Sequence, residues 1–165
     1  MIVISNTSPV INLAAIEKLD LLNQLYGKII IPQGVYHEVK GTGADQAGAT
    51  EIDDLEWIEV TSVPNQDLVQ AVRMELDQGE SEAIALAIQM KANLLLIDER
   101  RGRAVAKRFG LRYIGVLGII VGAKHKGLIQ AVTPLLDDLI ARAGFWVSKN
   151  LYNRVVQVSG EKDSE

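Results

Sequence analysis

Apolar residues along this chain fall into two recurring patterns. One is the short unbroken run: Ile2-Val3-Ile4, Ile29-Ile30-Ile31 after Lys28, and Leu94-Leu95-Leu96-Ile97. Apolar without alternation, these runs predict strands buried on both faces. Trp57 to Val63 alternates in part and predicts an edge strand, and Leu111 to Ile114 a last short strand. The other pattern is helical spacing. Val10, Leu13, Ala14 and Ile16 predict a helix after Asn6-Thr7-Ser8-Pro9, which supplies a cap candidate and a proline near the first turn. Leu19, Leu21, Leu22 and Leu25 predict a second helix, stopping near Gly27.

Further helices are predicted from Pro32 to Lys40, Asp67 to Leu76, Glu80 to Lys91, Arg103 to Phe109 and Leu117 to Lys124. Two more follow, from Thr133 towards Gly144 and from Ser148 to Val158. Asp77-Gln78-Gly79-Glu80 has the form of a capping box. Ala83 to Ile88 is apolar around most of its circumference, which predicts a central helix. Gly41 to Gly48 is glycine-rich and reads as a mobile loop. Strands alternating with helices predict a parallel sheet covered on both faces. Residues 1–158 read as one domain, and 159–165 as a disordered polar tail.

Composition narrows the function. The 165 residues are 48% apolar and 23% charged, as in an ordinary globular domain. Without cysteine there are neither disulfides nor thiolate zinc sites, which suits a reducing cytoplasm. Two histidines, His37 and His125, cannot make a histidine-rich metal site. No apolar run approaches the ~20 residues of a membrane helix, and Met1-Ile2-Val3-Ile4 lacks a basic leader, so a protein neither exported nor membrane-bound is expected. A net charge of −4 excludes broad, charge-driven coating of nucleic acid but leaves room for a local basic patch.

Candidate chemistry lies where the predicted elements meet. Asn6 follows the first strand, Asp98 and Glu99 follow the Leu94 run, and Glu80 and Glu82 open the central helix. In a parallel sheet these positions share the carboxyl edge, where ligands usually bind. Acids pooled there repel one another unless a cation or a shared proton intervenes. Oxygen-only donors suit Mg²⁺ or Mn²⁺, which activate water for phosphodiester hydrolysis. Each acid also has a plainer reading. Asp98 is a good helix cap, Glu80 belongs to the capping box, Glu82 gains from the helix dipole, and Glu38 and Glu99 fit a solvated surface. Arg100, Arg101, Arg103 and Lys107 directly follow the acids and match phosphate geometry, or else form a solvated helix face.

Four ordered blocks carry a resemblance: Ile4 to Val10, Ile31 to Val39, Gly79 to Ala87 and Leu95 to Arg103. Together they resemble the PIN-domain family, and within it the PIN-like proteins encoded beside small antitoxin-like partners in prokaryotes. The resemblance implies a three-layer α/β/α sandwich around a parallel sheet of about four to five strands. It also implies Mg²⁺- or Mn²⁺-dependent ribonuclease chemistry, as in the toxins of toxin–antitoxin pairs. The family's acidic positions fall on Asn6, Glu38, Glu82 and Asp98, with Glu99 adjacent to the last. The expected metal ligands are therefore Asn6, Glu38, Glu82, Asp98 and Glu99, with Glu38, Glu82 and Asp98 catalytic. Asn6 departs from the family, which has aspartate there.

Two functions follow. One is a cytoplasmic ribonuclease acting on single-stranded or structured RNA, with a small antitoxin-like partner. The other is a catalytically weak or silent PIN-like module that binds RNA or a partner protein. A nucleotide-binding or phosphoacceptor domain is disfavoured, because neither a Walker-type loop nor a G-x-G-x-x-G turn follows a strand. Finally, Phe145, Trp146, Leu151, Tyr152, Val155 and Val156 make an apolar C-terminal stripe that either folds back onto the chain's own core or, left exposed, marks an interface. From such an interface a homodimer is expected, with docking of an antitoxin-like helix the variant that the resemblance implies.

Overall fold

The computed structural model describes residues 1–41 and 47–161. The glycine-rich loop expected to be mobile lies mostly outside the described residues. The unbroken apolar runs are strands: β1 (Val3–Ser5), β2 (Ile29–Pro32) and β4 (Leu94–Leu96). β3 (Ile58–Thr61) and β5 (Tyr113–Ile114) complete one sheet in the order β3-β2-β1-β4-β5. Every pairing is parallel, with Ile4 opposite Ile30 on one side and Leu95 on the other. The Trp57 segment is an edge strand, as its partial alternation predicts, because only one flank needs a partner.

Between the strands run α1 (Thr7–Ala15), α2 (Asp20–Tyr26), α3 (Gln33–Lys40), α4 (Gln66–Arg73), α5 (Gln78–Gln89) and α6 (Arg100–Arg108), and α7 (Val116–His125) follows β5. α8 (Thr133–Ala141) and α9 (Lys149–Val158) close the described chain. The result is a three-layer α/β/α sandwich. Its sheet is all-parallel because every strand-to-strand connection contains a helical crossover. α5 packs over β1, β2 and β4, flanked by α3 and α4. Its burial from Gly79 through Ala87 explains why it is apolar all round. α2 stops at Gly27, whose φ of +76° is one that glycine adopts without strain.

Two expectations change at the C-terminal end. α9 turns Val155 and Val156 into the chain's own core, 5% and 1% exposed, and packs against α7. Two of the six residues of the expected interface stripe are thus already covered. Ser159 to Glu161, assigned from sequence to the polar tail, are held in place. Glu161 accepts from the Val132 and Thr133 amides at 2.7 and 2.9 Å and from Lys124 Nζ at 2.9 Å. Among the described residues, no helix is long and apolar enough to cross a membrane.

Candidate active site

β1 ends at Ser5, paired with Leu96 of β4, so the residues after both strands emerge side by side. The Asn6 amide continues the ladder by donating to Leu96 O at 2.9 Å. Asn6 is the N-cap of α1 in extended conformation, yet its side chain makes no capping bond. Its side-chain Oδ1 is buried without a hydrogen-bond partner, and the residue is 2% exposed. The next two residues, read from sequence only as a helix start, reach the acids instead. Thr7 Oγ1 donates to Glu38 Oε2, and Ser8 Oγ donates to Asp98 Oδ2 at 3.1 Å. Asn6 is therefore followed directly by two hydroxyls, each fastening a carboxylate.

Glu38 and Glu82 are held by a crosswise arrangement of α3 and α5. The Gly79 amide donates to Glu38 Oε1 at 3.1 Å, and the Gly34 amide to Glu82 Oε1 at 3.1 Å. Each helix thus offers a first-turn amide to the acid of the other. Gln78 Nε2 donates to the remaining oxygen of Glu82. Together these two acids line a cavity of about 630 Å³, with His37 and Gln66 also on its wall. Burial raises the Glu38 carboxyl above its ordinary value, and the nearby Asp77 and Glu82 charges push the same way against the lowering bonds from Thr7 and Gly79.

Asp98 opens onto a different cavity, of about 510 Å³. Its Oδ1 accepts from the Val116 amide at 2.7 Å. The alternative reading of Asp98 as a helix cap holds, but for α7 across the sheet edge rather than for the helix that follows it. Burial raises its carboxyl, opposed by Val116, Ser8 and the Arg103 charge. Glu99 is exposed and is the N-cap of α6 without a side-chain bond. Its charge acts instead on Glu80. Glu80 completes the predicted capping box with Asp77, and its second oxygen is buried without a partner. Burial, then Asp77 and Glu99, raise Glu80 to about 7.

The expected site is thus gathered at one sheet edge but not on one point. Among the described residues, no three histidine or acidic side chains converge as ligands of a single ion. The basic segment is divided too. Arg100 and Arg103 line the Asp98 cavity, whereas Arg101 lines a depression with Glu75 and Arg108 on another face. Lys107 is exposed beyond both. His125 ends α7 in solvent.

A family model described as a PIN domain matches residues 2–161. This chain belongs to the PIN-domain family. The match runs through Glu161, the residue that the structure shows anchored to the start of α8. No curated protein matches the chain closely enough to count as a relative. The PIN fold is a nuclease-type fold, and PIN domains generally depend on divalent metal. The donors present suit such an ion: they are all oxygen, and Asn6 Oδ1 is buried and unpartnered. Sequence reasoning missed Thr7, Ser8, Gly34, Gln78 and Gly79. The signal for the glycines is their spacing, four residues before Glu38 and three before Glu82.

Proposed function

We propose that this PIN domain is a divalent-metal-dependent ribonuclease whose activity is held low by Asn6. The observation that carries the reading is the buried, unpartnered Asn6 Oδ1, next in the chain to Thr7 and Ser8, whose hydroxyls hold Glu38 and Asp98. A buried acceptor left unsatisfied costs about 1–3 kcal/mol, and a hard cation relieves that cost. The residues that would hold one or two Mg²⁺ or Mn²⁺ ions are Asn6, the pair Glu38 and Glu82 on one cavity, and Asp98 on the other, with Glu99 an outer neighbour. When bound, the dication lowers the pKa of water and neutralises charge on the leaving oxygen.

The rest of the chemistry belongs to the chain. Thr7, Gly79, Gly34, Gln78, Ser8 and Val116 fix the carboxylate orientations, as outer partners do in metal sites. Glu38, with its carboxyl raised by burial, is the acid best placed to take a proton from attacking water. Arg100 and Arg103 meet the phosphate backbone of RNA on the Asp98 side. The proposed setting is cytoplasmic, as the toxin of a toxin–antitoxin pair with a small antitoxin-like partner. That setting rests on the family resemblance and the cysteine-free composition.

A catalytically silent module that binds RNA or a partner is the second reading, favoured by the missing charge at position 6. Calorimetric titration with Mn²⁺, paired with cleavage of single-stranded RNA, separates the two. Metal binding with slow cleavage is expected, and no heat at millimolar Mn²⁺ would retire the enzyme.

A further inference from the structure

The cavity beside Asp98 differs in chemistry from the one between Glu38 and Glu82. Its wall includes Arg100, Arg103, Phe145, Trp146 and Leu151. Trp146 is 82% exposed, the largest side chain that the chain leaves in water. It is nevertheless positioned. Just before it, the Phe145 amide donates to Leu139 O at 2.9 Å; just after it, Ser148 Oγ accepts from the Leu151 amide at 3.1 Å and caps α9. The indole therefore stands on a connection pinned at both ends.

Arg100 and Arg103 are three residues apart on α6, so they leave the helix on the same side. Among the described residues, neither guanidinium takes part in a hydrogen bond or an ion pair, although Arg142, Arg108 and Lys124 do. Two guanidiniums without a hydrogen-bond or ion-pair partner, beside an exposed indole and a carboxylate of the proposed centre, match a nucleotide: a phosphate for the arginines and a base for the ring. An apolar peptide would have no use for the two guanidiniums. The volume of about 510 Å³ is that of a small-ligand site.

We infer that this cavity is a nucleotide subsite, in which one unpaired base stacks on Trp146 while its phosphate lies between Arg100 and Arg103. The inference rests on the ribonuclease reading for its ligand class and adds the residues that position it. It selects unpaired RNA, since a base inside a duplex cannot reach an aromatic face. Arg101 and Lys107 fall outside the subsite.

The test is fluorescence anisotropy of a labelled twelve-residue oligouridylate in EDTA, where no cleavage occurs. Trp146→Ala should weaken binding by at least about fivefold at unchanged salt dependence, and Trp146→Phe by less. Arg103→Gln should weaken it and lower the salt slope by about 0.7. Lys18→Gln, in the connection between α1 and α2, should change nothing. Trp146→Ala within twofold of the natural chain overturns the subsite, as does equal affinity for a duplex. Absent binding overturns it too, and a doubled mass abolished by Trp146→Ala would mean that a second copy sits there. Cleavage of the same RNA on adding Mn²⁺ is scored separately. Binding through Trp146 without cleavage retires the nuclease and keeps the subsite; cleavage with Trp146→Ala binding normally does the reverse.

Discussion

The Cβ that Gly79 lacks would lie 2.5 Å from both carboxylate oxygens of Glu38. Gly34 stands in the same relation to Glu82, at 2.5 Å from Oε2. The pattern extends to Gly102, 2.9 Å from Glu80 Oε2, and Gly115, 2.7 Å from Asp98 Oδ1. Glu38, Glu82, Glu80 and Asp98 each reach into a position that a side chain at these glycines would fill.

Gly79→Ala is therefore expected to displace Glu38. Alanine favours a helix over glycine by up to about 1 kcal/mol, which offsets part of the strain. Stability should change little while Mn²⁺ affinity falls by about tenfold, the usual effect of losing a partner of a ligand. Calorimetry and thermal melts on the same variant check this. Unaltered metal affinity would remove Glu38 from the site.

Asn6→Asp should reveal a metal by reversing sign. Position 6 is buried, and the neighbouring Glu38 and Asp98 carboxyls are already raised by burial. Without metal, another charge there should cost about 1–3 kcal/mol. With Mn²⁺ the same charge tightens binding, and binding stabilises the fold by mass action. Melts in EDTA should place the variant below the natural chain, and melts in millimolar Mn²⁺ above it, with faster cleavage of single-stranded RNA. A variant that is lower under both conditions would show that Asn6 does not face an ion.

Much of this fold could be read locally. Unbroken apolar runs mark β1, β2 and β4, and the Asp77–Glu80 box and Ser148 cap both form as their spacing predicts. The unread parts are bonds between distant residues. Val132 offers no side chain to cap α8; Glu161, 29 residues on, serves that end. Asp98 likewise caps α7 from 18 residues away. Acidic residues at a sheet edge are visible in sequence, but which glycine or hydroxyl holds each oxygen depends on how α3 and α5 cross. That crossing sends Asp98 into one cavity and Glu38 with Glu82 into another.

Glu161 gives a pH dependence. Burial alone would raise its carboxyl, but the Thr133 hydroxyl, the Val132 amide, Lys124 and the Thr133 amide together lower it from 4.5 to about 2. A depressed carboxyl stabilises the fold fully above its unfolded value and loses that contribution as pH falls from about 4.5 towards 2. Glu161→Ala should therefore cost on the order of 2 kcal/mol at neutral pH, allowing for solvent screening at this partly open position. The gap to the natural chain should narrow between pH 5 and pH 3. Urea denaturation across that range checks it, and a gap independent of pH would make Glu161 a packing contact only.

The arrangement of α9 decides the expected oligomeric state. The apolar stripe predicts a homodimer, yet Val155 and Val156 face inward, and Tyr152 donates its hydroxyl to Asp137 at 2.6 Å. What stays outside is Val158 at 55%, with Leu151 at 41% and Trp146 on the wall of the Asp98 cavity. Burying two valines is worth about 3–5 kcal/mol, a large share of the 5–15 kcal/mol of a typical domain. Light scattering at tens of micromolar should therefore give a monomer. Ending the chain after Gly144 should lower the melting temperature steeply, because it uncovers α7 and removes the Glu161 bonds from α8. A dimeric mass that turns monomeric on this truncation, with melting unchanged, would show that α9 belongs to an interface after all.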